Sequence, residues 1–158
     1  MIIIKKIKHT DKEAILFVHK QSIYGICRDY YTEEEIEAWT ASLTPEIFDE
    51  GIKNQDNVGV AAVDSNKVVG YCFFNVPDKE LKALYLLPGY IKQGVGKMLL
   101  FQLEEIAKEK NITKLVLKST INAVGFYQRF GYKKIKEDKF FINENISLDC
   151  IYMEKKLI

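Results

Sequence analysis

Residues 84–100 read LYLLPGYIKQGVGKMLL. An apolar, β-prone run ends at Leu87, Pro88 and Gly89 interrupt it, and Gly94 and Gly96 open an amphipathic segment. Val95, Met98, Leu99, Leu100, Leu103 and Ile106 follow at helical spacing, so a helix is predicted over Gln93–Lys110. Backbone N–H groups at a helix N-terminus lack intrahelical acceptors and carry the positive end of the macrodipole. Glycines let an anion approach them closely. Strand, glycine turn and helix therefore form a phosphate cradle, to which Lys92 and Lys97 add charge. The pattern is neither a P-loop nor GxGxxG. On the turn chemistry alone, Gly94 and Gly96 serving only helix packing is the other reading.

Outward from this stretch, the chain divides by periodicity. Towards the N-terminus, Val58–Val63 and Val68–Phe74 flank the turn signal Asp64-Ser65-Asn66-Lys67 and read as a hairpin. Glu80–Leu87 is a third strand after the Pro77-Asp78-Lys79 turn. Further back, Ile2–Ile7 is a short strand, and Thr10 or Asp11 caps a helix running to about Ser22. Gly25–Tyr31 is an aromatic-rich break. Thr32-Glu33-Glu34-Glu35 is a capping box, and Pro45 opens a short third helix. Towards the C-terminus, Lys114–Lys118 is a strand, Asn122–Phe130 a helix stopped by Gly131, and Tyr132–Ile142 and Ser147–Leu157 two closing strands. The order β-α-α-β-β-β-α-β-α-β-β, with no linker or repeat, predicts one α+β domain over residues 1–158, with a mixed central sheet flanked by helices.

Composition narrows the function classes. The chain has 158 residues, nearly half of them apolar, and a net charge of +1. It is long enough to bury a core without staples and too apolar for disorder. The charge speaks against nucleic-acid binding. No run approaches the roughly 20 apolar residues of a membrane span. The odd set Cys27, Cys72 and Cys150, without a CxxC pair, fits reduced thiols in a cytoplasmic protein and no metal site.

Downstream of the glycine turn, residues 122–132 read NAVGFYQRFGY, a tyrosine in a short helix before a glycine stop and an aromatic strand start. With both motifs, the chain resembles the GNAT N-acetyltransferase superfamily, most firmly over Glu80–Tyr132. The resemblance implies a GNAT-type, mostly antiparallel sheet in which the strand before the turn splays from its neighbour. It implies acetyl-CoA as co-substrate, with Leu84, Tyr85 and Leu86 along the acyl-pantetheine and Lys92, Gln93, Gly94, Val95, Gly96 and Lys97 around the pyrophosphate. Two positions depart from the family pattern. Ile91 stands where Gln or Arg is usual, with Lys92 as the compensating charge. Thr120 stands where Asn is frequent, with Asn122 two residues on, so either could meet the pantetheine.

The same resemblance makes Tyr127 the general acid for the leaving thiolate and Glu80 a candidate base acting through water. For Tyr127 the alternative is core filling. For Glu80 it is a solvated strand end, with the amine arriving neutral. Tyr24, Arg28, Asp29 and Tyr31 fall where the family shapes its acceptor pocket; Asp29 with aromatic faces suits a cationic amine, Arg28 a carboxylate-bearing one. Trp39 reads as packing. The implied activity is acetyl transfer to a primary amine, on a small molecule, in a ternary complex. A non-catalytic acyl-CoA-binding or sensing module and a protein or peptide N-acetyltransferase are the alternatives. The closing strands, with Phe140, Phe141, Ile151, Tyr152 and Met153, offer an edge or apolar patch for a homodimer.

Overall fold

Ser65 and Asn66 both take left-handed backbone, with φ of 49° and 68°. That conformation matches the twist of adjacent antiparallel strands, so β2 (Asn57–Asp64) and β3 (Lys67–Asn75) pair outward from Asp64 and Lys67. The computed structural model, which describes residues 1–158, builds on this hairpin. β1 (Ile2–Lys6) adds antiparallel to β2, and β4 (Glu80–Leu86) adds antiparallel to β3 with a bulge at Lys82. Beyond β4 come β5 (Lys114–Thr120), β7 (Ser147–Lys156) and, at the free edge, β6 (Lys133–Phe141). The seven strands stand in the order β1-β2-β3-β4-β5-β7-β6, and only the β4–β5 pair is parallel. This is the mixed, mostly antiparallel α+β sheet expected. Phe140 and Phe141 stand exposed on the edge strand.

Helices cover both faces. A side chain at Gly70 would lie 2.4 Å from Leu86 and 3.2 Å from Leu99 of α4 (Val95–Glu109), while the next residue, Tyr71, meets His19 of α1 (Lys12–Ser22) on the other face. That alternation puts α4 on one side of the sheet and α1 on the other. Leu99, Leu100 and Leu103 of α4 are fully buried with Leu115, Leu117 and Met153 in the main core. A smaller cluster of Ile23, Cys27, Ile36, Trp39 and Leu148 packs under α2 (Glu33–Ser42), so Trp39 does serve packing. α3 (Pro45–Lys53) and the short α5 (Val124–Arg129) complete the chain. No helix is long and apolar enough to cross a membrane.

Caps form as expected at α2, where the Glu35 N–H donates to Thr32 Oγ1 (3.1 Å) and the Thr32 N–H to Glu35 Oε1 (2.9 Å). Ahead of α1 the cap differs. Asp11 closes a short turn, His9–Asp11, and its carboxylate reaches back to the Lys8 N–H (2.8 Å) and the Lys5 ammonium.

The expected break at Gly25–Tyr31 is not one. The chain continues helically, as a π turn over Ile23–Cys27 and a 3₁₀ turn over Arg28–Tyr30. Gly25 serves close approach instead: a Cβ there would lie 2.4 Å from Pro88 Cγ, so only glycine lets this turn rest on the end of β4.

Candidate active site

β4 and β5 are bonded only at Glu80–Val116 and Leu81–Leu117, although β4 runs on to Leu86 and β5 to Thr120. On its other side β4 stays paired to β3 as far as Leu86 and Gly70. The strands therefore diverge, and a cavity of about 640 Å³ occupies the gap. Leu84, Tyr85 and Leu86 form one wall. Thr120, Asn122, Phe126 and Tyr127 form the other, and Ser22, Ile26 and Cys27 reach it from α1 and its π turn. The splay matches the expectation, and Thr120 and Asn122 both come to the cavity.

The glycine turn lies at one end. Lys92 and Gly94 have φ of 60° and 84°. The two glycines serve different needs. At Gly94 a Cβ would meet nothing, so the residue is required by its left-handed backbone. At Gly96 a Cβ would press 3.2 Å from the Phe126 ring, so the residue is required by space. The N–H groups of Val95, Gly96 and Lys97 begin α4 and have no intrahelical acceptor. Lys92 and Lys97 line the cavity, as does Arg129 of α5, which adds a guanidinium. The Gln93 and Val95 side chains do not line it. Gln93 Nε2 donates to the Gly89 carbonyl (2.7 Å), and Val95 is buried in the core. Gly94→Ala is expected to lower stability by about 1 kcal/mol, read from the urea midpoint, because alanine pays for positive φ without gaining a contact.

Tyr127 is 5% exposed, its ring edge-on to Tyr132 (5.6 Å) and Phe126 (5.2 Å). The Tyr132 hydroxyl is anchored on Glu104 Oε2 (3.2 Å), itself paired with Lys155 at 2.8 Å. Burial raises the Tyr127 phenol far above its ordinary value, so it keeps its proton and has it to donate in a hydrogen bond. Burial likewise pushes the Cys27 thiol up to about 12, against a lowering hydrogen bond from Asn122. Cys27 is therefore a neutral wall of the cavity and no nucleophile.

Several expected residues do not reach the cavity. Glu80 sits at the bonded end of the β4–β5 join, with its carboxylate held by Lys82 at 2.7 Å. The cavity lies further along β4, so Glu80 is poorly placed as a base. Arg28 is forked onto Glu33 (3.0 and 3.1 Å) and exposed, and Tyr24 and Asp29 also face solvent. The Tyr31 hydroxyl is used up: it donates to the Asp149 carbonyl (2.8 Å) and accepts from the Ile121 N–H (3.0 Å), tying the segment before α2 to the ends of β5 and β7. Sequence reading did not single out Ser22, Cys27 or Arg129 as site residues, although Cys27 falls in the segment read as shaping the acceptor pocket. Arg129 stands inside the 122–132 motif, whereas Ser22 and Cys27, on α1 and its π turn, carried no local signal.

Residues 27–157 match the family model described as an acetyltransferase (GNAT) domain. The spermidine N(1)-acetyltransferase of Thermoplasma acidophilum is 30% identical over 140 residues, 82% of this chain and 87% of that protein. The peptidyl-lysine N-acetyltransferase YjaB of Salmonella typhimurium is 26% identical over 136 residues, 84% of each. The crystal structure of the PaiA N-acetyltransferase of T. acidophilum in complex with coenzyme A superposes with a TM-score of 0.84 at 29% identity, covering 99% of both chains.

Proposed function

The chain belongs to the GNAT acetyltransferase family, and from that premise we propose that it transfers the acetyl group of acetyl-CoA to the primary amine of a small molecule, by direct attack in a ternary complex. The observation that carries this reading is the cleft between β4 and β5, which opens onto the free N-terminus of α4. The coenzyme A held by the PaiA structure supports the same use here. The pyrophosphate would rest on the N–H groups of Val95, Gly96 and Lys97, with Lys92, Lys97 and Arg129 supplying charge. The backbone of Leu84–Leu86, unpaired towards β5, would hold the acyl-pantetheine, as the N–H and C=O groups of an unpaired strand can bond a ligand.

The amine nitrogen attacks the thioester carbonyl, the C–S bond breaks, and the nitrogen gives up one proton while the sulfur gains one. Tyr127 donates a hydrogen bond to the charge growing on sulfur. Full proton loss from a phenol held so high is unfavourable against a thiol. No carboxylate or imidazole lines the cavity. The amine therefore enters as the free base, and Glu80→Gln is expected to leave turnover within about threefold, below the 10²–10⁴ of a lost base.

The spermidine-acetylating relative supports a small acceptor. The peptidyl-lysine relative favours a second reading, a lysine side chain within a peptide. Thiol release from acetyl-CoA decides between them, with spermidine, free lysine, 2-phenylethylamine and a lysine-bearing peptide as acceptors. Stimulation by a small amine supports the first reading, and stimulation by the peptide alone supports the second. Binding of acetyl-CoA without stimulated release by any amine would point to a sensing module.

A further inference from the structure

We propose that Tyr85 presents its side-chain hydroxyl to the nitrogen of the acceptor amine, and that His19 is the positioning residue that holds the Tyr85 ring in place; both assignments rest on the acetyltransferase reading above. Tyr85 lies in the diverging part of β4 and lines the cavity. Its ring is packed from behind by three others. The His19 imidazole lies face to face with it at 3.7 Å and 23°, Tyr71 stacks at 6.0 Å, and Trp39 stands edge-on at 6.4 Å. With that side filled, the hydroxyl itself makes no hydrogen bond within the protein and is left free for a ligand. Cys27 and Tyr127 line the same cavity.

The chemistry needs such a group. An attacking amine must aim its lone pair at the carbonyl carbon, and its N–H bonds then need acceptors. With no carboxylate in the lining, those acceptors must be neutral oxygens. The Tyr85 oxygen can accept one N–H bond, which strengthens as the nitrogen becomes positive during attack. Tyr127 would serve the departing sulfur and Tyr85 the arriving nitrogen.

His19 is otherwise hard to account for. It is a buried imidazole whose Nδ1 lies 2.6 Å from the Tyr71 hydroxyl and whose Nε2 has no partner. An unsatisfied buried nitrogen is costly. A role in fixing Tyr71 and Tyr85 together explains why the site tolerates it.

The test compares wild type with Tyr85→Phe, His19→Gln and His19→Phe, using whichever amine of the panel above releases thiol fastest, and calorimetry for acetyl-CoA affinity. Tyr85→Phe, which keeps the ring, should lower kcat/KM for the amine about tenfold, the scale of one lost hydrogen bond that strengthens in the transition state. Its acetyl-CoA Kd should stay within twofold. His19→Gln, which removes the stack, should raise the amine KM severalfold with acetyl-CoA affinity unchanged, and His19→Phe, which restores it, should return the KM to within threefold of wild type. Amine kinetics within twofold of wild type in Tyr85→Phe, or a parallel loss of acetyl-CoA affinity, would overturn the assignment of Tyr85. A His19→Phe variant as impaired as His19→Gln would overturn that of His19. Wild-type protein that binds acetyl-CoA yet releases no thiol with any amine would overturn the transferase reading, and both assignments with it.

Discussion

Tyr127→Phe should lower kcat about a hundredfold while leaving acetyl-CoA affinity within twofold. General-acid assistance contributes 10²–10⁴, and the low end applies because burial keeps the Tyr127 proton on oxygen, limiting it to a hydrogen bond on the leaving sulfur. The ring would stay where it is. Its edge contacts with Tyr132 and Phe126 do not involve the hydroxyl, and Glu104 anchors Tyr132 independently. The loss should therefore appear in kcat and not in binding. Steady-state thiol release with calorimetry on the same preparation reads both. Unchanged turnover would remove Tyr127 from the mechanism and return it to the core.

The second large effect is on stability. Burial lowers the His19 pKa from 6.5 to about 3, and its neighbours Tyr71, Tyr85, Trp39 and Phe48 offer no charge to offset that. Below pH 6.5 the unfolded chain takes up a proton on this ring that the folded chain refuses until about pH 3. Stability is thus fully present above pH 6.5 and is lost progressively as pH falls towards 3. The full loss is on the order of 5 kcal/mol, comparable to the whole stability of a marginal domain. Carboxylates held low by partners, such as Asp11, add their own loss only under more acid conditions. Urea midpoints between pH 7 and 4.5 should fall steeply in wild type and much less in His19→Phe. Parallel curves for the two proteins would mean that His19 already meets water in the folded state.

What the sequence disclosed was local. The Ser65–Asn66 turn, the Thr32–Glu35 capping box and the strand–turn–helix geometry at Gly94 each depend on residues a few positions apart, and each forms as expected. The site residues that escaped depend on tertiary register. Ser22 and Cys27 reach the cavity because α1 runs on into a π turn, and the glycine that looked like a stop is there to clear Pro88. Arg129 faces the cavity only because α5 lies against the diverging end of β5. Glu80 matched a family position at the start of the strand before the turn, but that match could not tell where the β4–β5 ladder stops. Tyr31 stood in the right segment, and its two hydrogen bonds join residues 90 and 118 positions away, a partnership invisible in any window of sequence.

The β4–β5 join bears on how the molecule moves. Every other pair of neighbouring strands shares five or more residue pairs, and this one shares two. The ladder therefore resists bending least along the Glu80–Val116 line, the spine between two separately bonded halves of the sheet. The two halves are held together mainly by side chains: the α4 core on Leu115, Leu117 and Met153, the Glu104–Lys155 pair, the Phe126 ring on Gly96, and the clasp of the Tyr31 hydroxyl on Asp149 and Ile121. Each hydrogen bond of that clasp is worth about 1 kcal/mol. The width of the cleft is thereby set by side-chain packing across the halves and not by a backbone ladder.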